Sequence, residues 1–330
     1  MSLYIGLMSG TSMDGIDAAL IDMPSNILIH GITQNYSKKT KLKLNELLAN
    51  MNLSFASICE LNGLIGRDFA SAVLELLNVT GKSTTEIEAI GSHGQTICHD
   101  TSGNFPYTLQ LGCGHTISSL TGITVVADFR TRDIVNGGQG APFAPLYHQE
   151  LFSKRDTPIA IINVGGISNI SLISDSQETK GWDIGPGNCL MDAWIYLHQN
   201  KAFDNNGAWA SQGKVIDSLL DNLLSDPFFS MASPKSIGKE YFSLAWLEQH
   251  HVELYKPEDV QATLLRVTAQ AIADTVLKEH PITHVYLCGG GTHNIHLHRT
   301  LNSLLPGVIV KSIIDVGVSP DYLEAMMFAW

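Results

Sequence analysis

One pattern occurs twice in this chain, and it constrains the fold more than any other feature. At 3–22 the apolar "LYIGL" runs through "MSGTSMDG" into the alternating "IDAALID", and at 158–174 "PIAIINV" runs through "GGISN" into "ISLIS". Each reads as an apolar strand, a loop of glycines and hydroxyl side chains, and a second apolar strand, which is a hairpin with a Gly-rich turn. Two copies predict a distant internal duplication. The 330 residues give length for two lobes with a cleft between them, beyond what one continuous core usually organises.

Strand and helix signals alternate around both hairpins, which predicts an α/β lobe in each half. Leu61, Ile65, Phe69, Val73 and Leu77 recur at every fourth position and predict a helix over about 56–78 whose stripe is core. "IEAIGSHGQT" reads as a strand that ends in a polar Gly turn. "ITVVADFR" reads as a strand delivering Asp128, Phe129 and Arg130 at its C-terminal end, where α/β sheets hold ligands. In the second half "GKVIDSLLDNLL" and "QATLLRVTAQAIADTVLKEH" have helical periodicity, and "HVYLCGGG" is a strand running into three glycines.

The formal charge is -12, and no stretch gathers Lys and Arg into a stripe, so nucleic acid and anionic membranes are not expected partners. No apolar run approaches the ~20 residues of a membrane span, and "MSLYIGLMSG" lacks the basic lead of an export signal. Cys59, Cys98, Cys113, Cys189 and Cys288 are odd in number and lack the close paired spacing of a zinc site. Reduced thiols in a cytoplasmic protein are the expectation.

Successive backbone N–H groups in a Gly-containing turn can converge on an anion. Gly10, Thr11, Ser12 and Gly15 are candidates for such a phosphate cradle, with Asp14 or Asp17 reaching a phosphate-bound Mg²⁺ through water. The plain alternative is a hairpin whose glycines only meet turn geometry. "TGKST" at 80–84 lacks the leading glycine of a Walker loop, since position 76 is Leu76. No G-x-G-x-x-G follows the first strand. The second turn, with Gly165 and Gly166, is followed by "GWDIGPGN", which places Asp183 in a predicted loop. Gly289, Gly290 and Gly291 ahead of Asn294 form a third cluster, between a strand and a helix. Two phosphate hairpins and a Gly-rich purine shelf are the parts of the actin-like ATPase and sugar-kinase fold, a duplicated ribonuclease H-like α/β architecture.

Asp183 is the candidate general base on a hydroxyl or water near the γ-phosphate, or else a turn cap; Asp192, on a predicted helix, is the lesser candidate. His93, Gln95, Arg130, Asp133 and Gln139 fall in predicted loops and suit a hydroxylated or amide-bearing ligand. Arg130 either pairs with a ligand carboxylate or with Asp133. In "THNIHLHR" the spacing of His293, His296 and His298 does not place three imidazoles on one helix face, so a helix start beside the purine site is expected there.

With "GLMSGTSMDGID", "SHGQT", "DFR", "GGQGAP", "NVGGISN", "DIGPGN", "PKSIGKE", "CGGGTHN" and "SPDYLEAMMFAW", essentially the whole chain resembles the anhydro-N-acetylmuramic acid kinase family. The resemblance implies an ATP- and Mg²⁺-dependent enzyme that opens the 1,6-anhydro bond of anhydro-N-acetylmuramic acid with water and phosphorylates O6, a step of bacterial cell-wall recycling. It implies that residues 10–17 hold ATP phosphates and that Asp183 activates the water. Arg130, Glu324 and His93 would lie at the sugar, with Arg130 pairing with its lactyl carboxylate. A homodimer is implied as well. The expected lobes are 1–130 with 320–330, and 131–319, closing on substrate.

The pattern departs from the family in three places. Related sugar kinases carry a leading Asp that holds Mg²⁺ through water where Leu7 or Met8 stands here, which leaves the metal's ligand open. "KSIGKE" replaces an expected "KSTGRE", and Lys239 is not an equivalent bidentate donor. The sequence stops at Trp330 inside an expected helix, where family members usually continue with a further short stretch. Two other functions stand beside this one: a non-catalytic nucleotide switch of the actin or chaperone type, and an ordinary hexose or amino-sugar kinase.

Overall fold

The computed structural model describes all residues except 1, 11, 12, 14, 24, 50–53, 102, 142, 153–157, 175–178, 239, 240 and 280. Three of the cradle candidates, Thr11, Ser12 and Asp14, and Lys239 of "KSIGKE", lie outside the described residues. The strands are β1 (Leu3–Ser9), β2 (Ile16–Asp22), β3 (Ile27–Gln34), β4 (Ile87–Asp100), β5 (Tyr107–Leu111), β6 (Val125–Ala127), β7 (Ile159–Val164), β8 (Ile167–Ile173), β9 (Lys180–Pro186), β10 (His284–Cys288) and β11 (Ile309–Ser312). The α helices are α1 (Lys38–Ala49), α2 (Phe55–Thr80), α3 (Gly114–Thr121), α4 (Thr131–Val135), α5 (Ala144–Phe152), α6 (Cys189–Gln199), α7 (Asp217–Leu224), α8 (Pro227–Ser230), α9 (Leu244–Glu248), α10 (Pro257–Lys278), α11 (Ile295–Leu304) and α12 (Leu323–Ala329).

The chain divides into two compact units, 1–144 with 322–330, and 145–321. Segment 131–144 therefore belongs to the first unit, against the expected boundary at 130. Arg130 and Asp133 both bond to Gly140 and tie the segment back to the end of β6.

In the first unit β3, β2 and β1 are successively antiparallel, β1 pairs β4 in parallel, and β4 pairs β6 in parallel along Ile90–Ser92. The far half of β4 pairs antiparallel with β5. α2 packs on this sheet through the stripe read from the sequence, all five of whose side chains are buried; each contributes about 1.5–3 kcal/mol of apolar burial. Ser54 caps α2 by accepting from Ser57 N, and Gly81, at φ 65°, ends it. α12 lies against β1 and β4. A Cβ at Gly6 would overlap the Ala325 carbonyl and one at Gly91 the Phe328 carbonyl, so both strands carry glycine where the helix backbone sits on them.

In the second unit β9, β8 and β7 are successively antiparallel, and β7, β10 and β11 are parallel. The order β9-β8-β7-β10-β11 repeats β3-β2-β1-β4-β6 of the first unit strand for strand, which is the duplication in three dimensions. α10, buried along most of its length, packs beside β9, α6 and α11.

Candidate active site

In the first unit the turn between β1 and β2 is anchored from below by buried side chains. Ser9 Oγ lies 2.7 Å from the Gly15 carbonyl and 2.8 Å from Gln95 Oε1, donating its one proton to either. Tyr36 donates to Gln95 Oε1 at 3.1 Å, and Gln95 Nε2 donates to the Gly10 carbonyl at 3.1 Å. Burial pushes the Tyr36 phenol well above its usual range. Met13 adopts φ 56° and closes the turn through Met13 N to Gly10 O. Ile16 has its side chain wholly in the core, which fixes the end of the turn and leaves only its backbone to face a ligand. Asp17, in β2, accepts from Thr33 Oγ1 at 2.6 Å.

"SHGQT" is not a loop. β4 runs straight through it, and His93 and Gln95 are buried. Gly94, at φ 79°, marks an irregularity within the strand where the sequence signal suggested its end. The Nδ1 of His93 lies 2.9 Å from the Gly94 carbonyl, and its Nε2 accepts from Arg130 Nε at 2.9 Å. That pattern requires the neutral Nδ1–H tautomer, and burial with the adjacent Arg130 charge lowers the imidazole to about 4. With both nitrogens engaged, His93 orients Arg130 and is not free to bond a substrate.

Arg130 stands just past β6, after Asp128 at φ 58°. Nη1 donates to the Gly140 carbonyl at 2.6 Å, and the guanidinium lies over the Phe143 ring. Asp133 is spent on Gly140 N at 2.7 Å, so the Arg130–Asp133 pair left open by the sequence does not form. Among the described residues Nη2 has no hydrogen-bond partner. Burial lowers the Arg130 pKa, while Glu324 opposes that shift. Glu324, in the first turn of α12, keeps exposed surface. Desolvation in its crowded surroundings raises the carboxyl, Asp17 adds to the rise, and Arg130 opposes it; its access to water tempers the first cause. Phe328, one helical turn on, packs against His93 with the rings tilted by 34° and 4.6 Å between centroids.

In the second unit the carbonyls of the Gly165–Gly166 turn accept from backbone donors. Gly166 O accepts from Gly187 N at 2.8 Å and Cys189 N at 3.1 Å, and Gly165 O from Asn188 N at 2.7 Å. The N-terminus of α6 is thus sewn beneath the turn. Asn188 Nδ2 donates to Val164 O.

Asp183 lies within β9 opposite Asn169, not in the loop its glycine neighbours suggested. Its Oδ2 accepts from Ile237 N at 2.9 Å and its own N–H bonds to Lys235 O. Among the described residues Oδ1 has no partner. Burial raises its pKa, the bond from Ile237 opposing, so the carboxylate is a better proton acceptor than an ordinary Asp. Because the Ile237 backbone makes this bond, the departure from Thr to Ile leaves it intact.

Of the three clustered glycines only Gly290 has room for a side chain, a Cβ there meeting Asn188 Nδ2 at 3.7 Å. A Cβ on Gly289 would meet Asn163 Oδ1, and one on Gly291 the Val164 side chain, so these two permit close packing on β7. Gly290 and Asn294 line a cavity of about 780 Å³ with Thr292, Met191, Asp192 and Phe203. Asn294 also caps α11 by accepting from Leu297 N at 3.0 Å. His293 pairs with Asp321 and His298 with the Thr292 carbonyl, and no group of three metal-ligating side chains forms among the described residues.

Sequence reading missed Gln95 as an anchor, and Asp204, which also lines the cavity. "FDNNG" carries only a turn signal. Asp204 accepts from Trp209 N, Ala210 N and Gln261 Nε2, and beside it burial raises Asp192 to about 7.

The solved structures with similar folds include component A of (R)-2-hydroxyglutaryl-CoA dehydratase from Acidaminococcus fermentans. It has a TM-score of 0.54 at 10% identity and covers 100% of this chain and 96% of that one. The activator of 2-hydroxyisocaproyl-CoA dehydratase from Clostridium difficile, solved with bound ADPNP, gives 0.52 at 11% identity, covering 99% and 92%. The fold is that of the actin-like ATPases. In sequence, the chain is 66% identical over 331 residues to the anhydro-N-acetylmuramic acid kinase of Legionella pneumophila (strain Paris), covering 100% of this chain and 90% of that protein. It is 45% identical over 336 residues to the enzyme of the same name from Xylella fastidiosa, covering 99% and 88%. The model of the anhydro-N-acetylmuramic acid kinase family matches residues 2–330. On that match and those identities, the chain belongs to the anhydro-N-acetylmuramic acid kinase family.

Proposed function

We propose that this chain is an ATP-dependent kinase that opens 1,6-anhydro-N-acetylmuramic acid with water and phosphorylates O6, giving N-acetylmuramic acid 6-phosphate in cell-wall recycling. Beyond family membership, the observation that carries this reading is Asp183: one carboxylate oxygen fixed by Ile237 N, the other without a partner among the described residues, and a raised pKa.

Asp183 Oδ1 takes a proton from a water whose oxygen attacks the anomeric carbon. The bond from that carbon to the bridging oxygen breaks, and O6 attacks the γ-phosphorus. The bond from that phosphorus to the β–γ bridging oxygen then breaks and ADP leaves. A glycosidase supplies a second carboxylic acid for the departing oxygen; here the phosphoryl group captures it. Arg130, held by His93 and the Gly140 carbonyl with Nη2 spare, would pair with the lactyl carboxylate, and Glu324 would accept a sugar hydroxyl.

The cavity beside Gly290 has the size of a small-molecule site, and its orphaned buried hydroxyl on Thr292 fits a polar ligand. The turns of both hairpins, Gly10 to Asp17 and Gly165–Gly166, would hold the ATP phosphates. Mg²⁺ neutralises phosphate charge, and it commonly binds through one or two carboxylates and water, a role Asp17 suits. Homodimerisation belongs to this reading on family resemblance, and a cytoplasmic place of work on its five free cysteines.

The test is incubation with ATP, Mg²⁺ and either the anhydro sugar or its ring-opened form, following ADP release and the 6-phosphate. The anhydro sugar should be consumed. Phosphorylation of the opened sugar alone would make this an ordinary amino-sugar kinase, and sugar-independent ADP release a nucleotide switch.

A further inference from the structure

The cavity beside Gly290 holds two carboxyls in very different circumstances. Asp204 is saturated, accepting from Trp209 N at 2.9 Å, Ala210 N at 2.9 Å and Gln261 Nε2 at 3.3 Å. Asp192 is partly buried, lines the same cavity, and among the described residues has neither a hydrogen-bond donor nor a cation beside it. A withdrawn carboxyl without partners costs free energy that a ligand can recover by supplying them. Thr292 also lines the cavity, and its Oγ1 is buried without a partner, a second polar group there whose hydrogen bond the fold does not supply.

Position along α6 tells which part of a nucleotide Asp192 meets. Asn188, one turn earlier, is fixed to Val164 O and Gly165 O beside the glycine turn, and Asp192 N bonds to Asn188 O at 2.8 Å. One helical turn is about 5.4 Å. With phosphate at the turn and the N-terminus of α6, that step reaches the sugar of a nucleotide and stops short of the exocyclic amine of its base. Met191, Phe203 and Ile295 also line the cavity and supply apolar wall for the base.

We propose that Asp192 recognises the ribose: the hydroxyls of a ribonucleotide in this cavity bond to its carboxyl, making it a specificity-determining residue for ribo- over deoxyribonucleotides. Burial and the neighbouring Asp204 raise its pKa to about 7, so near neutrality the group can either accept or donate toward a hydroxyl. The proposal rests on the kinase reading only in taking ATP as the cavity's ligand.

The test compares wild type, Asp192→Ala and Asp192→Asn with ATP, 2′-deoxy-ATP, 3′-deoxy-ATP and ITP, using the anhydro sugar as acceptor. Wild type should prefer ATP to at least one deoxy analogue by about tenfold in KM. Asp192→Ala should raise the KM for ATP and for ITP by about tenfold while leaving that for the discriminated deoxy analogue within about twofold. Asp192→Asn, which keeps shape and an acceptor, should fall between them with an unlowered thermal midpoint. Equal weakening of ATP and both deoxy nucleotides, or an effect seen only in the comparison of ATP with ITP, overturns the ribose contact. If wild type does not phosphorylate the anhydro sugar, the kinase reading fails. Calorimetric binding of ATP and its deoxy analogues to wild type and Asp192→Ala then still decides the role of Asp192.

Discussion

The two units share one strand order but secure their hairpin turns by opposite means. In the first, Ser9, Tyr36 and Gln95 form a buried side-chain network under the turn. In the second, the carbonyls of Gly165 and Gly166 accept directly from residues 187–189, with Gly187 packed so closely that no side chain fits. A backbone-built turn tolerates no added atom, whereas a side-chain-built one can lose atoms and be weakened by degrees. The units also divide the proposed chemistry. The second carries Asp183 on a strand, and the first carries Arg130 and Glu324 on elements that come together from 194 positions apart in sequence (324 − 130).

The largest effect should come from the second unit. Asp183→Asn keeps the bond from Ile237 N but removes the proton acceptor, and kcat should fall about 10³-fold with calorimetric ATP affinity nearly unchanged. An active variant would strip Asp183 of the base role. Gly187→Ala tests the backbone-built turn itself. Its Cβ would overlap the Gly165 carbonyl, and the expected loss is about 3 kcal/mol in thermal or urea unfolding, with weaker nucleotide binding. Unchanged stability would show that the turn can yield.

Each unit also buries one imidazole lowered to about 4: His93 beside Arg130 in the first, and His148, bonded to Ser171, in the second. Both folded-state values lie below the unfolded 6.5, so the folded chain binds fewer protons between the two. This contribution to stability is therefore complete above about 6.5 and lost as the pH falls toward 4, at about 3 kcal/mol for each group. Urea titrations at pH 7.5 and 4.5 should show the loss, and His148→Gln should reduce it while leaving the share from His93. The smallest effect is expected at the side-chain-built turn. Gln95→Ala leaves the Tyr36 hydroxyl and Gly10 carbonyl short of a partner and should cost about 2 kcal/mol, with a several-fold higher KM for ATP. A KM rise without loss of stability would mean that Gln95 acts on the ligand rather than on the turn.

Both hairpins were legible in the sequence because glycine between apolar alternations is a local signal, and so was α2, whose stripe, Ser54 cap and Gly81 stop lie within one stretch. The same glycines misled at "SHGQT" and "GWDIG". There they sit inside strands, Gly94 at an irregularity of β4 and Gly181 beneath Pro145, and only pairing with neighbours distant in the chain reveals it. The functional neighbourhoods were legible only as residue types. That His93 grips Arg130 instead of facing a ligand, that Asp133 serves Gly140, and that Asp192 comes to rest beside Asp204 are facts of tertiary packing. Periodicity and motif spacing carry no trace of them. Gly6 and Gly91 had a signal available, since a glycine in a buried strand marks a close approach of backbone, but what approaches is the last helix of the chain.

That helix has a consequence for synthesis. The residues that cover Gly6 and Gly91 come from 322–330, after the whole of 145–321 has been made. A nascent chain on the ribosome therefore carries the second unit as one continuous segment, while the first, though translated earlier, still lacks the helix that covers part of its sheet. The half of the molecule made first is the half finished last, and during that interval β1 and β4 are the surface a chaperone would meet.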